Sequence, residues 1–411
     1  VTGLTAGDFP ENDVRRRARE GAAAAFPPLD GYGRTVYGGT VHGGTPRDEL
    51  DRMRLVPPVF VPDRLAKLVE LGREPTHADV SLATVVGGFR SPLPVYVSAF
   101  GSTRAGNGDL ALAVSRQAGR AGIPMVVGEN VVPVNGYRSH GGTLLDRVRA
   151  YTAELSDVDG GIVVQQSTED ADAEVWNLVY SDPSTQDLLG SGRLGFELKV
   201  GQGAKPGLGG LTVLDRASAD RLRDRYGLAD VFGADPVLRL GSPGTFTDEI
   251  LRQQIRLMRN NFPRARVWVK LPPGRDVGHA ATVAWAAGAD AVTVDGAEGG
   301  TGWAPTAFLD DVGLPVAECL RRVDPGSSCL LVSGRMWDGA RAVKCLALGA
   351  SAVGLGRAAL VAADEDPAAG LRRLLDCLEL EIRMLVSALG KYAAGAVDAE
   401  DVWPRLERTT R

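Results

Sequence analysis

The chain has 411 residues, 46 Lys+Arg against 51 Asp+Glu, a formal charge of −5, 44% apolar and 24% charged residues. These values match soluble globular proteins and exclude a disordered or collagen-like chain. The near-neutral balance lacks the basic stripe of a nucleic-acid binder, and no apolar run approaches a membrane span.

Residues 1–90 are rich in Gly, Pro and charge and show weak periodicity. A short helix is expected at Asp63–Leu71, with Pro62 before it and Gly72 after it. Residues 1–90 are read as an arm packed on the main domain. The N-terminus carries Asp8, Glu11 and Asp13 and no apolar core segment, so it is not a secretory signal.

From Pro94 onward, apolar runs alternate with helical patterns. The runs are Pro94–Ser98, Ile123–Val127, Gly161–Val164, Leu194–Val200, Val237–Leu240, Val267–Leu271, Ala289–Val294, Cys329–Ser333 and Ala352–Gly356. Helical patterns lie at Asp109–Ala121, Thr247–Asn260, Gly278–Ala287, Gly339–Leu348 and Gly370–Leu389. Continuous apolar runs suit strands buried on both faces, and the alternation suits a parallel sheet. An α/β fold is expected: a (β/α)8 TIM barrel over 91–390, with an N-terminal arm, an extended loop after strand 4 that absorbs the weak Val237–Leu240 run, and a C-terminal tail over 391–411. An open doubly wound sheet is the alternative, since alternation alone does not separate the two.

The sequence holds 52 glycines with no collagen period, and only six lysines. Many glycines should serve tight turns or close approach to a ligand. Lys199 lies within a strand run, Lys205 in the Gly-rich segment that follows, and Lys270 within another run. An inward ammonium is costly unless paired or touching a ligand, so each is either a buried ion pair or a site residue. Strand-to-helix turns at Gly334–Gly339 and Gly356–Arg357 are candidate phosphate sites or ordinary tight turns. The Gly-rich Asp295–Gly302 segment suits close approach to a flat ring or an anion, or is a plain loop. Glu129 is a candidate substrate-facing acid or a helix cap. Cys319, Cys329, Cys345 and Cys377 include no C-x-x-C pair, and His42, His77, His140 and His279 include no metal-ligand spacing, so no metal site is expected. Neither a nucleophile elbow nor a Walker loop occurs.

The segment from Lys199 to Gly210 resembles the K-x-x-Q-G-A-K-P-G-x-G-G signature of the FMN-binding barrel domain of glutamate synthase and its stand-alone relatives. Ser98–Ser102, Gly128–Glu129, Ser242-Pro243, Val269-Lys270-Leu271, Gly299–Gly302, Gly334 with Gly339, and Gly356 with Ala358-Ala359-Leu360 support the resemblance in order. It implies FMN in the barrel mouth. The implied cofactor-binding residues are Ser98, Ala99, Phe100, Gln165, Lys270, Gly300, Thr301, Gly334, Arg335, Gly339, Gly356 and Arg357. The implied catalytic residues, on the substrate side, are Lys199, Gln202, Lys205 and Glu129, with Arg225 a weaker partner for a substrate carboxylate.

Several departures stand beside the resemblance. Residues 358–376 lack the cysteines of an iron–sulfur cluster, and Cys377 stands alone. No cysteine precedes Cys319 to serve as a glutaminase nucleophile, so that domain is expected to be missing. Arg335, Met336 and Trp337 fill a turn whose family pattern is simpler, and Phe246 and its neighbours replace a His-containing loop.

The resemblance therefore implies an FMN-dependent oxidoreductase without an iron–sulfur cluster. It would act on a small amino-acid-like or 2-oxo-acid/imine substrate, with hydride transfer between substrate carbon and flavin N5. A non-redox FMN-dependent isomerase and a non-catalytic flavin-binding subunit are the alternatives. The expected partners are a small-molecule substrate and NAD(P)H, oxygen or another diffusing redox partner. Nucleic acid and membrane are not expected. A cytoplasmic location, a homo-oligomer and a role in specialised metabolism complete the expectations.

Overall fold

The computed structural model describes residues 4–38, 47–100, 104–105, 108–128, 144–167, 173–201, 203, 212–224, 227–233, 235–241, 246–301 and 304–404. Eight strands form a closed barrel: β1 (Val95–Phe100), β2 (Met125–Val127), β3 (Ile162–Ser167), β4 (Leu194–Lys199), β5 (Arg266–Leu271), β6 (Ala291–Asp295), β7 (Cys329–Ser333) and β8 (Ala352–Leu355). Every pairing is parallel and sequential, and β8 closes on β1. Each strand coincides with an expected apolar run, and closure decides for the barrel over the open sheet.

The Val237–Leu240 run also forms a strand, but outside the barrel. Val237–Arg239 is the centre of a three-stranded antiparallel sheet with Thr212–Leu214 and Leu228–Ala229, built within the long β4–β5 connection. Its partners are as short as it is, so no long apolar run announces them.

Helix Pro62–Leu71 forms as expected, with proline in its first turn and Gly72 as a left-handed cap. Helix Glu11–Glu20 is not anticipated by the weak periodicity. Its buried stripe is Val14, Arg17 and Ala18, at helical spacing, and one of the three is an arginine. Arg17 reaches Glu381 at 2.7 Å and lies over the Trp337 ring at 4.9 Å. This helix packs on helices Arg357–Glu365 and Gly370–Ala388. Arg54–Leu55 pairs with Val402–Trp403, tying the segment before the barrel to the one after it.

A hairpin, Thr84–Val86 with Phe89–Ser91, contributes to the barrel interior. Its turn is Gly87-Gly88, both at positive φ, as a two-residue hairpin turn requires. The Trp268 indole donates to the Gly87 carbonyl at 2.9 Å, and a Cβ on Gly87 would lie 2.2 Å from that ring. Val86, Phe89, Tyr96, Val126, Val163, Trp268, Leu331 and Ala352 form an apolar plug inside the barrel. A boundary at residue 90 falls within this hairpin, so the segment before it supplies part of the core.

Candidate functional site

Beyond the plug, toward the C-terminal strand ends, the barrel interior becomes polar. Barrel interiors are ordinarily filled by branched apolar side chains. Here Ser98, Gln165, Glu197, Lys270, Thr293, Asp295 and Ser333 are all buried. The register explains the layering: Gln165 is opposite Glu197, Lys270 opposite Thr293, and Asp295 opposite Ser333.

Glu197 accepts from the Gln165 amide on one oxygen and from the Thr293 hydroxyl, at 3.0 Å, on the other. Burial pushes its carboxyl above the usual range, against the Lys270 charge and these hydrogen bonds. Tyr96, edge-on to Trp268 at 6.1 Å, is fully buried, and burial together with the Glu197 and Asp295 charges drives its phenol well up. Lys270 lies 3.4 Å from Asp295, whose other oxygen accepts from Ser333 at 2.6 Å. Lys199, half-buried, is in register with Lys270 on one side and Ser167 on the other.

At the ends of β6, β7 and β8 an open cavity of about 780 Å³ is lined by Ala297–Thr301, Arg335, Arg357 and residues 4–8 of the arm, among others. Helix Arg357–Glu365 begins at Gly356 with no side-chain cap, and a Cβ on Gly356 would meet nothing within 4 Å. An uncapped helix start with open space before it can accept an anion. Arg357 donates to the Glu298 carbonyl and lies over Phe9 at 4.7 Å. Among the described residues it has no carboxylate partner in an ion pair. Burial and the nearby Arg335 hold its pKa below the ordinary value. Gly334 (φ 126°) and Arg335 (φ 52°) form a left-handed turn at the end of β7.

Two expected phosphate-loop residues are otherwise engaged. The Arg335 side chain binds Asp48 at 3.0 Å and Asp51 at 2.6 Å. The Gly339 N–H donates to Glu381 at 2.7 Å, and a Cβ there would sit 2.4 Å from the Glu381 Cβ. Glycine at 339 is thus explained by helix packing. Asp338 caps the same helix through the Arg341 N–H. Two carboxylates already serve that helix start, and the features left open to an anion are the Gly334–Arg335 turn and Gly356–Arg357.

Ser98 is buried, and Ala99 and Phe100 are half-buried at the end of β1, where Phe100 meets Arg147 at 5.9 Å. Gly300 is exposed, and a Cβ on it would lie 3.0 Å from the Arg357 side chain; Thr301 is half-buried beside it. Gln202, Lys205, Glu129 and Arg225 lie outside the described residues. Glu197, Thr293, Ser333 and Tyr96 are not among the expected site residues, and Asp295 enters only as the first residue of the Gly-rich Asp295–Gly302 segment. Glu197 shares strand parity with Lys199, two positions on, which was the signal available for it.

Residues 186–365 match the family model described as the conserved region in glutamate synthase. Strands β4 to β8 carry that region. Over 185 residues the chain is 36% identical to an archaeal-type glutamate synthase [NADPH] of Dehalococcoides mccartyi, covering 43% of this chain and 36% of the relative. It is 37% identical over 182 residues to a glutamate synthase large subunit-like protein of Rhizobium meliloti, covering 42% and 40%. The matched glutamate synthase region is thus well under half of either relative's length. Among solved structures, an (S)-mandelate dehydrogenase chimera superposes with a TM-score of 0.56 at 19% identity, covering 96% of this chain and 99% of its own. A flavocytochrome b2 mutant with pyruvate bound gives 0.56 at 18%, covering 88% and 79%. At such identity the likeness is one of fold.

Proposed function

We propose that this chain is an FMN-dependent oxidoreductase acting on a small amino-acid-like or 2-oxo-acid/imine substrate. The observation that carries the reading is the polar barrel interior, with a buried Lys270–Asp295 pair, beside an uncapped helix start that has room for a phosphate. The glutamate synthase region and the flavoenzyme-type fold support it.

The residues fit FMN. The terminal phosphate would be held by the N–H groups at Gly356–Arg357 and the Gly334–Arg335 turn, with the Arg357 guanidinium as counter-charge. Ser98, Ala99, Phe100, Gln165, Lys270, Gly300 and Thr301 would hold the remainder. When bound, FMN supplies a two-electron hydride acceptor or donor for a carbon bearing nitrogen or oxygen. Glu197 fixes the Gln165 amide by accepting its N–H, which leaves the Gln165 carbonyl oxygen to accept from a ligand. Lys270 brings positive charge to the end of the barrel. Lys199, with Gln202, Lys205 and Glu129, would bind the substrate carboxylate and exchange the proton on its heteroatom. NAD(P)H, oxygen or another diffusing partner would complete the electron balance.

The purified protein should show flavin absorption, or gain it stoichiometrically on incubation with FMN. The absorption should bleach under anaerobic addition of a 2-amino acid, a 2-hydroxy acid or NAD(P)H. A colourless protein that takes up no FMN refutes the proposal. Among the described residues no helix is long and apolar enough to cross a membrane.

A further inference from the structure

We infer that Asp295 is a positioning residue that limits how much of the Lys270 charge reaches a bound flavin, and so poises the flavin to give up hydride. The inference rests on the FMN reading above.

Lys270 and Asp295 are 5% and 4% exposed, and they sit on neighbouring strands with Nζ 3.4 Å from Oδ2. The Ser333 hydroxyl fixes the other carboxylate oxygen at 2.6 Å. The carboxylate is therefore anchored from β7, while the ammonium is paired but not clamped. The buried pairs of Arg335 and Arg341 with Asp48 and Asp51 are tighter, at 2.6–3.0 Å. A Cβ on Gly299 would lie 3.0 Å from Asp295 Oδ2, so the carboxylate lies against the Gly-rich loop that lines the cavity. Its negative charge is felt where the ligand would be, and burial keeps water from screening it.

A flavin ring gains negative charge on reduction, and a nearby cation stabilises that charge. An unpaired lysine would favour the reduced ring strongly. A lysine neutralised by a fixed carboxylate favours it less, which makes the ring a better hydride donor. This device suits reduction of a carbon–nitrogen or carbon–oxygen double bond more than oxidation of a saturated substrate.

The test uses the FMN-loaded chain and the variants Asp295→Asn, Asp295→Glu and Lys270→Met. Two quantities are read: the flavin midpoint potential, and the dissociation constant of sulfite from bleaching of the flavin band. Asp295→Asn should bind sulfite roughly tenfold more tightly. Its potential should rise by about 30 mV, the equivalent of a tenfold change for a two-electron couple. Asp295→Glu should stay near wild type, and Lys270→Met should move both quantities the opposite way. If Asp295→Asn does not fold, Asp295→Ser, which also removes the charge beside Lys270, is read by the same two quantities, and both must move in the direction expected for Asp295→Asn. Bound flavin whose potential and sulfite affinity do not move on losing the carboxylate overturns the inference and spares the FMN reading. Failure of the wild-type chain to take up FMN removes both.

Discussion

Replacing Asp48 by alanine should cost about 3 kcal/mol of stability, because one carboxylate serves three partners. Asp48 accepts from Arg341 at 2.8 Å and from Arg335 at 3.0 Å, and it caps helix Glu49–Arg52 through the Asp51 N–H at 2.9 Å. Arg341 is 1% exposed, and its Nε and Nη2 already lack hydrogen-bond partners. Among the described residues, removing Asp48 leaves that guanidinium with Asp51 as its one remaining ion-pair partner. Breaking a buried pair from one side costs about 3–5 kcal/mol and losing a cap about 1 kcal/mol. The surviving Asp51 contacts, at 2.6 Å to both arginines, hold the total near the lower end. Urea denaturation at pH 7 measures it, with Asp8→Asn as a control, because the Asp8–Arg47 pair is fully open to solvent on the Asp side, asparagine tolerates the left-handed backbone at position 8, and loss of the charge should leave the midpoint unmoved. The pH dependence gives a second reading. Burial raises the Asp48 carboxyl, but the hydrogen bond and charge of Arg341 outweigh it and hold it below the usual range. The stabilisation is therefore complete above the ordinary value of 3.8 and is lost as pH falls through the folded value, so wild type and variant should converge in acid. A loss under about 1 kcal/mol at pH 7, no more than a cap, would refute the cluster's role.

Three further outcomes are expected. Gly87→Ala should destabilise by at least about 2 kcal/mol in thermal or urea unfolding, since its Cβ would enter the Trp268 ring at a left-handed position. Glu197→Gln should remove a buried carboxyl whose pKa is raised: ionised Glu197 opposes folding at neutral pH, and wild type should gain stability relative to the variant as pH falls from 7 toward 4.5, checked by urea midpoints at each pH. Gly356→Asp has room for its side chain and should fold, but it sets a carboxylate at the uncapped helix start; FMN affinity by fluorescence titration should fall at least tenfold while the melting temperature changes by only a few degrees.

The barrel was legible because its strands are buried on both faces for most of their length, and burial of that kind writes a mostly apolar run, broken only toward the C-terminal strand ends. The same rule hid Thr212–Leu214 and Leu228–Ala229, which form a small surface sheet without such runs. Helix Glu11–Glu20 escaped notice because one of its buried positions is Arg17, paired to Glu381. Lys270 and Lys199 stood out as charges within apolar runs. Glu197 met the same criterion, but its partners Gln165 and Thr293 are distant in sequence, and only barrel closure brings them together. At Gly339 the glycine has a packing reason that no local motif shows: helix Gly370–Ala388 presses against it.

The Gly87-Gly88 hairpin has a consequence for how this molecule can be cut or grafted. Because Phe89 and Val86 fill the barrel's lumen and Trp268 donates a hydrogen bond to the turn, the cylinder is corked by chain that precedes its first stave. A fragment starting at β1 would open a hole beneath the buried Glu197, letting solvent enter from the closed end and bathing the charges that the fold keeps dry.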